Sequence, residues 1–268
     1  MGRRRFLQAL AAGAAVFGSA TGGAEAALDT VFGETTRPDG RGASRAFAKT
    51  AGGAPTVAGA PFGVVTRLPG SAGPQFAWTV DDGCSVQVVA AFARFLKDTG
   101  IRMTFFPNAA NASWTLCAPA LRPMVESGQV ALGNHTWSHP DITKISANDV
   151  AGQIARNEKF LKNTYGVTGR PYFRPPFGKH NAETDRIAAD AGYRVIALWS
   201  GTLGDSTVVG AQSPDRLEAA ARREFEPQRI VLSHANLPGV THCYSELAEL
   251  IKSRGLKTVT LADVFGQQ

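Results

Sequence analysis

Residues 79–83 read Thr-Val-Asp-Asp-Gly and close an apolar run, Gln-Phe-Ala-Trp-Thr-Val, that begins at residue 75. The run has the length and composition of a strand, and neighbouring side chains of a strand point to opposite faces. One carboxylate of the pair Asp81 and Asp82 should therefore point inward, where an unpaired charge is costly. The pair predicts a strand end at which both carboxylates have partners.

Six further apolar runs follow the first one, at residues 101–106, 129–135, 171–175, 193–199, 229–234 and 256–261. Helical patterns lie between them at 86–100, 146–166 and 213–225, and each starts at a serine that is suited to cap it. This alternation predicts an α/β fold with a parallel sheet and outer helices. Seven strand candidates favour a distorted, closed or nearly closed β/α barrel, and an open doubly wound sheet is the alternative.

Three regions are expected along the chain. Residues 1–26 have a basic start, an apolar middle and a small-residue end, which predicts a signal peptide. Its Arg3-Arg4-Arg5-Phe6-Leu7 fits the twin-arginine pattern, with a plain secretory signal as the alternative. Residues 27–73, rich in Gly, Ala and Pro, predict a flexible linker that ends in a short strand at 62–68, and residues 74–268 the catalytic domain.

The charge of the chain argues against a nucleic-acid partner. The formal net charge of +6 falls to +4 without the three arginines and Glu25 of the leader, and the remainder contains no run of Lys or Arg.

We expect an exported monomer, extracellular, periplasmic or bound to the cell wall. The apolar part of the leader is short and broken by glycines, so stable membrane insertion is not expected.

Side chains with acid-base or metal-binding chemistry collect where the apolar runs end. They are Asp81 and Asp82 after the first run, His135 and His139 in and after the third, Arg174 in the fourth, Asp205 beyond the fifth and His234 at the end of the sixth. In a β/α barrel these positions face one rim, where active sites of this fold are built. The sequence therefore predicts an active site at the C-terminal strand ends.

The histidine pair indicates a metal centre. His135 and His139 are four residues apart, and two histidines with one carboxylate leave a position open for water, as in a catalytic zinc site. The second carboxylate could then take a proton from that water. The alternatives are a solvated Asp-Asp-Gly turn and ordinary surface histidines.

Three further chemical roles are expected from residues near the other strand ends. His234 is a candidate general acid, and its alternative role is to cap a buried strand. Arg174 is a candidate for orienting the base, or else a surface residue before a turn. Pro175 and Pro176 have no amide hydrogens, so the N–H of Phe177 is available to stabilise an oxyanion.

These motifs together resemble the polysaccharide deacetylases, carbohydrate esterase family 4, over about residues 75–265. Thr-Val-Asp-Asp-Gly looks like the family's Thr-Phe-Asp-Asp-Gly, and His-Thr-Trp-Ser-His matches its two-histidine motif. Arg-Pro-Pro-Phe-Gly and Val-Leu-Ser-His are similar to two further motifs. Where the family has an Asp-Trp dipeptide, this chain has Asp205 followed by Ser206, and Val80 replaces the usual Phe.

The resemblance implies a role for each residue. Asp81 is the base, oriented by Arg174. Asp82, His135 and His139 are the metal ligands. His234 is the acid, tuned by Asp205. The amide of Phe177 serves the oxyanion, and Leu232 and Trp199 are the substrate-binding residues.

The resemblance also implies the reaction. It is hydrolysis of acetyl groups on an N-acetylated glycan such as peptidoglycan or chitin, with metal-bound water attacking the acetyl carbonyl. The divalent ion is expected to be Zn²⁺, with Co²⁺ or Ni²⁺ as alternatives. An O-acetyl esterase acting on a xylan-like polysaccharide and a catalytically impaired carbohydrate-binding protein are the alternative functions.

Overall fold

The computed structural model describes residues 62–206 and 213–266. The predicted signal peptide and the predicted linker as far as residue 61 lie outside this range. Within it, strand β1 (Gly63–Val65) pairs in parallel with strand β6 (Val195–Ala197). The short strand expected at residues 62–68 is therefore present, and ordered pairing begins before residue 74.

Strands and helices alternate along the described residues. The other strands are β2 Gln75–Asp82, β3 Met103–Pro107, β4 Val130–Leu132, β5 Tyr172–Phe173, β7 Gly201–Thr202, β8 Ile230–His234 and β9 Lys257–Thr258. The α-helices are α1 Val86–Thr99, α2 Ser113–Leu116, α3 Ala118–Glu126, α4 Ala147–Tyr165, α5 Ala182–Asp190, α6 Pro214–Glu224, α7 Tyr244–Ser253 and α8 Leu261–Phe265. Within the part of the chain described, none of these helices has the length and apolar character needed to cross a membrane.

The strands form two parallel sheets. One has the order β4-β3-β2-β8-β7, with β9 also paired to β2, and the other has the order β1-β6-β5. A parallel bridge between Asn134 and Phe173 links the end of β4 to β5. Between β6 and β7, the amide of Ser200 donates to the carbonyl of Ile230 in β8. The predicted parallel α/β architecture is confirmed, and these links are compatible with a distorted barrel.

Strand β2 is buried on both faces, and its residues alternate between two environments. Trp78 packs against Phe92 and Phe95 of α1. Ala77 belongs instead to the central core, and the Oγ1 of Thr79, two residues on, accepts a hydrogen bond from Arg174. Continuing this period of two places Asp81 on the inner face, as the sequence pattern requires.

The central core draws on most strands of both sheets and on the last helix. With the hydroxyl of Tyr172 hydrogen-bonded to the carbonyl of Leu261, its buried and otherwise apolar members pack below the rim where the strands end. They are Leu68, Ala77, Phe106, Tyr172, Val195, Ala197, Ile230, Val259, Leu261, Val264 and Phe265. This apolar base fixes the strand ends above it because close-packed interiors resist displacement.

Helix α1 begins and ends where its sequence predicts. The Oγ of Ser85 accepts a hydrogen bond from the amide of Val88, 3.3 Å away, and so satisfies one of the free amides of the first turn. Gly100 adopts the left-handed conformation and donates to the carbonyl of Leu96. Helix α4 is capped in the same way by Ser146, which accepts from the amide of Asp149.

The last predicted strand is much shorter than its apolar run. Only Lys257 and Thr258 pair with β2, because Thr260 caps helix α8 and so ends the extended segment. Thr260 and Asp263 exchange side-chain to backbone hydrogen bonds of 3.0 and 2.8 Å in a capping box. The fifth run, at residues 193–199, also differs from expectation. Only Val195–Ala197 of this run forms a strand, β6, and the chain that follows the run forms a separate strand, β7, which pairs with β8.

Gly133, the residue after β4, lies against the core and provides a test of its packing. A Cβ at this position would lie 2.3 Å from the ring of Phe106, so Gly133→Ala must displace that ring. We expect the free energy of unfolding, measured by urea denaturation, to fall by about 1–3 kcal/mol.

Gly152 provides the matched control. It lies exposed within helix α4 with open space around its Cα, and Gly152→Ala should raise the free energy of unfolding by about 0.5–1 kcal/mol. Equal effects of the two substitutions would contradict the packing described for Gly133.

Candidate active site

The strand ends bring the predicted site residues together on one rim. Asp81 and Asp82 end β2, and His234 ends β8 in register opposite Asp81. On the other side of β2, the register places Asp82 opposite Pro107 of β3. Parallel pairing gives all these strands the same direction, so the side chains that follow them share one edge.

A three-residue cluster on this rim has the composition of a metal site. The Oδ1 of Asp82 lies 3.3 Å from the Nε2 of His135 and 3.4 Å from the Nε2 of His139. One ligand atom from each residue lies within 4.8 Å of the others. The Asp82 Oδ1 is buried and accepts no hydrogen bond from the described residues. An oxygen in that position fits a divalent cation held by two imidazoles and one carboxylate.

The electrostatics of the cluster also favour positive charge. Burial raises the pKa of Asp82, but the close approach and charge of His135, the charge of His139 and the hydrogen bond from Asn236 outweigh it and hold that pKa well below its usual range. Burial lowers the pKa of His135, but Asp81 and Asp82 raise it above the ordinary value. The two carboxylates therefore create a place where a cation is stabilised.

Hydrogen bonds hold the ring of His135 and the backbone of His139 in place. The Nδ1 of His135 lies 2.6 Å from the carbonyl oxygen of Arg174, so the Nδ1–H donates there and Nε2 is free for a metal. The amide of His139 donates to the Oγ1 of Thr136, 3.1 Å away. The first bond fixes the direction in which the His135 ring presents its Nε2, and the second holds the backbone from which the His139 side chain extends.

Unusual backbone conformations are concentrated at this rim. Four of the five non-glycine residues with positive φ in the described ranges lie here: Asp82 at 68°, Thr136 at 66°, His139 at 60° and Phe177 at 60°. Such conformations are unfavourable for branched and bulky side chains and persist where the surroundings impose them. Their concentration is typical of a functional site.

Asp81 forms a buried ion pair with Arg174. The Nη1 of Arg174 donates to the Asp81 Oδ1 at 2.8 Å and to the Oγ1 of Thr79 at 2.8 Å. Its Nε donates to the carbonyl of Ala197 at 2.8 Å, and the guanidinium lies over the ring of Phe106 at 4.1 Å. The second oxygen of Asp81, Oδ2, lies 3.6 Å from the Nε2 of His135 and so faces the cluster.

His234 is paired with Asp205. The Nδ1 of His234 lies 2.9 Å from the Asp205 Oδ1, while the Asp205 Oδ2 accepts from the His234 amide at 3.1 Å and from the hydroxyl of Ser233. Burial lowers the pKa of His234, but the Asp205 hydrogen bond and the carboxylates around it raise that pKa above its ordinary value. The pairing leaves Nε2 as the nitrogen of His234 that is free to exchange a proton.

The remaining predicted residues are also near the rim or beneath it. The Phe177 side chain is exposed, and its ring lies 4.4 Å from that of His139. Within the described residues, the Phe177 amide donates no hydrogen bond. Trp199 packs against the central core, 5.7 Å from the guanidinium of Arg174, and Leu232 is buried in β8. The assignment of these last two residues to the substrate stays a prediction.

The structure adds residues that the sequence analysis missed. The backbone carbonyl of Asp82 accepts hydrogen bonds from the Nε1 of Trp114 at 2.7 Å, the Nδ2 of Asn111 at 3.1 Å and the amide of Asn108 at 3.2 Å. The Asp82 Oδ2 accepts from the Nδ2 of Asn236 at 2.7 Å. The only signal in the sequence was the position of these residues, shortly after the second and sixth apolar runs.

Comparison with known proteins agrees with this site. The family model for polysaccharide deacetylases matches residues 70–196, which include every predicted site residue from Asp81 to Phe177. A relative described as a peptidoglycan-N-acetylglucosamine deacetylase from Bacillus cereus is 25% identical over 195 residues, 71% of this chain and 68% of the relative. Residues 70–196 of this chain belong to the polysaccharide deacetylase family. Asp205 and His234 lie beyond the matched segment.

Solved structures of this family share the fold. The chitin deacetylase from the fungal pathogen Colletotrichum lindemuthianum superposes with a TM-score of 0.67 at 22% identity, covering 78% of this chain and 94% of that one. A carbohydrate esterase family 4 pseudoenzyme from Bacillus anthracis gives a TM-score of 0.64 at 19% identity, covering 75% and 68%. The fold is therefore common to members described as active and to one described as a pseudoenzyme.

The three-residue cluster predicts that a divalent cation stabilises this polysaccharide deacetylase. Zn²⁺ at about 100 times its Kd should raise the melting temperature by about 5–10 °C, and His139→Ala should remove most of that rise by deleting one ligand. Differential scanning fluorimetry with and without the cation measures both shifts.

His180→Ala is the matched control. The Nδ1 of His180 pairs with Asp185 at 2.9 Å, away from the cluster, so its loss should leave the Zn²⁺-induced rise intact. A His139→Ala protein that keeps the full rise would show that the cation binds elsewhere.

Proposed function

We propose that this protein is a metal-dependent hydrolase that removes acetyl groups from an N-acetylated glycan of the peptidoglycan or chitin type. The observation that carries the proposal is the meeting of three units on one rim. These are the Asp82–His135–His139 cluster, the Asp81–Arg174 pair and the His234–Asp205 pair. The names of the related peptidoglycan and chitin deacetylases support the same reaction.

The two adjacent carboxylates have separate roles in this proposal. Asp82, His135 and His139 would hold the divalent ion, which when bound supplies a Lewis acid for the acetyl carbonyl and lowers the pKa of water. Asp81 keeps one oxygen on Arg174 and turns the other toward the cluster, where it can accept a proton from the attacking water. The ion pair with Arg174 fixes the direction of this carboxylate.

Two further groups on the rim complete the reaction. The amide N–H of Phe177 is available to donate to the carbonyl oxygen as negative charge develops there. His234, protonated and oriented by Asp205, can give its Nε2 proton to the departing amine nitrogen. The proton that Asp81 removes and the proton that His234 gives balance the hydrolysis to acetate and a free amine.

One departure from the family pattern favours a second candidate. Ser206 follows Asp205 where the family has Trp, so a wall of the acetyl pocket is changed. A catalytically impaired protein that binds acetylated carbohydrate is this second candidate, and the fold is shared by a pseudoenzyme. The complete set of ligand, base and acid residues supports catalysis instead.

Export through the predicted signal peptide would bring the enzyme to the cell wall.

Acetate release tests the proposed function directly. The protein loaded with Zn²⁺ should release acetate from N-acetylglucosamine oligomers or peptidoglycan, and chelation should abolish the release. Asp81→Asn should lower kcat at least about 100-fold, because a general base contributes about 10²–10⁴-fold. Its Zn²⁺ content, measured by atomic absorption, should stay near that of the parent.

Three results would contradict parts of this proposal. Release from acetylated xylan alone would favour the O-acetyl esterase. Binding of glycans without acetate release from any substrate would favour the impaired protein. Full activity of Asp81→Asn would exclude Asp81 as the base.

The His234–Asp205 pair predicts a specific pH dependence. A general acid works only while protonated, so kcat/KM should fall as the pH rises through the pKa of His234. Asp205 raises that pKa, so Asp205→Asn should move the alkaline limb of the profile to lower pH.

Asp185→Asn is the matched control for the pH profile, since Asp185 pairs with His180 and not with His234. That substitution should leave the alkaline limb unchanged. An unmoved limb in Asp205→Asn would rule out His234 as the group that titrates there.

A further inference from the structure

Asn236 lies two residues beyond the end of β8 and joins two parts of the rim through its side-chain amide. Its Nδ2 donates to the Oδ2 of Asp82 at 2.7 Å, and its Oδ1 accepts from the amide of Cys84 at 3.0 Å. No motif of the sequence pointed to this residue. It contacts the one carboxylate of the cluster, from the side opposite the two histidines.

The backbone places Asn236 firmly against the end of β2. The amide of Ala235 donates to the carbonyl of Asp81 at 3.0 Å, and the amide of Ser85 donates to the carbonyl of Ala235 at 3.2 Å. These bonds continue the pairing of β2 and β8 past their last residues. They therefore hold the next residue, Asn236, beside Asp82.

The direction of the Asn236 amide is determined by its two partners. The Cys84 N–H can only donate, so it requires the carbonyl oxygen of the amide. An ionised carboxylate can only accept, so the Asp82 Oδ2 requires the NH₂ group. In the opposite orientation, the NH₂ group of Asn236 would face the Cys84 N–H, which is also a donor, and its carbonyl oxygen would face the Asp82 Oδ2, which is also an acceptor. One orientation alone satisfies both contacts.

The two oxygens of Asp82 consequently have different surroundings. Oδ2 is occupied by Asn236, whereas Oδ1 is buried, accepts no hydrogen bond from the described residues and lies within 3.4 Å of both histidine nitrogens. A carboxylate with both oxygens free can rotate and bind a cation through either or both. Here the side-chain amide of Asn236 occupies Oδ2, so only Oδ1 of Asp82 is free.

We infer that Asn236 is a positioning residue for the metal centre. By holding the Asp82 Oδ2 it limits Asp82 to one coordinating oxygen, Oδ1, and preserves positions on the cation for water and substrate. This inference rests on the metal site of the proposed function. It assigns Asn236 no contact with the substrate.

Co²⁺ is the probe, because its visible absorption reports the number and arrangement of ligands. The full chain is titrated with Co²⁺ alone, and Asn236→Ala is compared with the parent. The variant should bind Co²⁺ about 10–100-fold more weakly, as is typical when the hydrogen-bond partner of a ligand is lost. Its absorption bands should weaken and shift as Asp82 becomes free to coordinate through both oxygens.

Asn236→Asp covers the case in which the alanine variant does not fold. Aspartate keeps an acceptor for the Cys84 amide, so the link between the strand ends survives, but it cannot donate to Asp82. Its carboxylate repels the Asp82 Oδ2 or competes for the cation. In either event the parent-like Co²⁺ spectrum should disappear.

Asn111→Ala is the matched control. Asn111 also donates to Asp82, but to its backbone carbonyl, which keeps the donors of Trp114 and Asn108. The Co²⁺ affinity and spectrum of this variant should stay close to those of the parent. A spectral change as large as that of Asn236→Ala would overturn the inference, because the effect would not depend on the carboxylate.

The remaining outcomes separate this inference from the proposed function. A parent-like Co²⁺ spectrum in either folded Asn236 variant overturns the positioning role, whatever the melting temperature or affinity. A parent protein that binds no Co²⁺ overturns both the inference and the metal site. A parent that binds Co²⁺ but releases no acetate refutes only the proposed reaction, while altered spectra of the Asn236 variants still support the positioning role.

Discussion

The buried ion pair between Arg174 and Asp81 is the interaction on which the rim depends. The guanidinium is fully buried, and it donates to Thr79 and Asp81 of β2 and to the carbonyls of Ala197 and Leu198 at the end of β6. It thus joins the two sheets at the level of the site. Loss of either partner would leave a charge uncompensated inside the protein, at a cost of about 3–5 kcal/mol. The carbonyl of Arg174 also accepts from His135, so the residue that fixes the proposed base also fixes one of the proposed metal ligands.

The adjacency of Asp81 and Asp82 follows from the alternation of a strand and from its ending. Asp81 continues the inner face of β2 and reaches Arg174. Asp82 leaves the extended conformation at a φ of 68°, and its carbonyl is held by the Trp114, Asn111 and Asn108 donors. Its carboxylate turns instead to His135 and His139. Two like charges are tolerated side by side because each faces a different positive or hydrogen-bonding partner.

Several features of the fold and of the site could be predicted from short stretches of sequence, because they depend on interactions between residues close together in the chain. The serines that cap α1 and α4 satisfy amides only three residues away. The spacing of His135 and His139 on one loop, and the reactive residues after each apolar run, predicted one rim. The extent of the last strand was predicted wrongly because a local signal was missed. The run at 256–261 is cut short by the capping of α8, in which Thr260 and Asp263 form a capping box.

The sequence by itself determined the alternation of strands and helices, the end of β2 at two carboxylates and the residue types that gather at strand ends. These follow from side-chain periodicity and capping, which act over a few residues. Only the tertiary structure decided which carboxylate oxygen each partner occupies. Asn236 is 154 residues from Asp82 and Arg174 is 93 from Asp81, and parallel pairing of β2 with β8 and the links between the sheets bring them into contact. Hydrogen-bond geometry over such separations is set by strand register and packing, which no short stretch of sequence specifies.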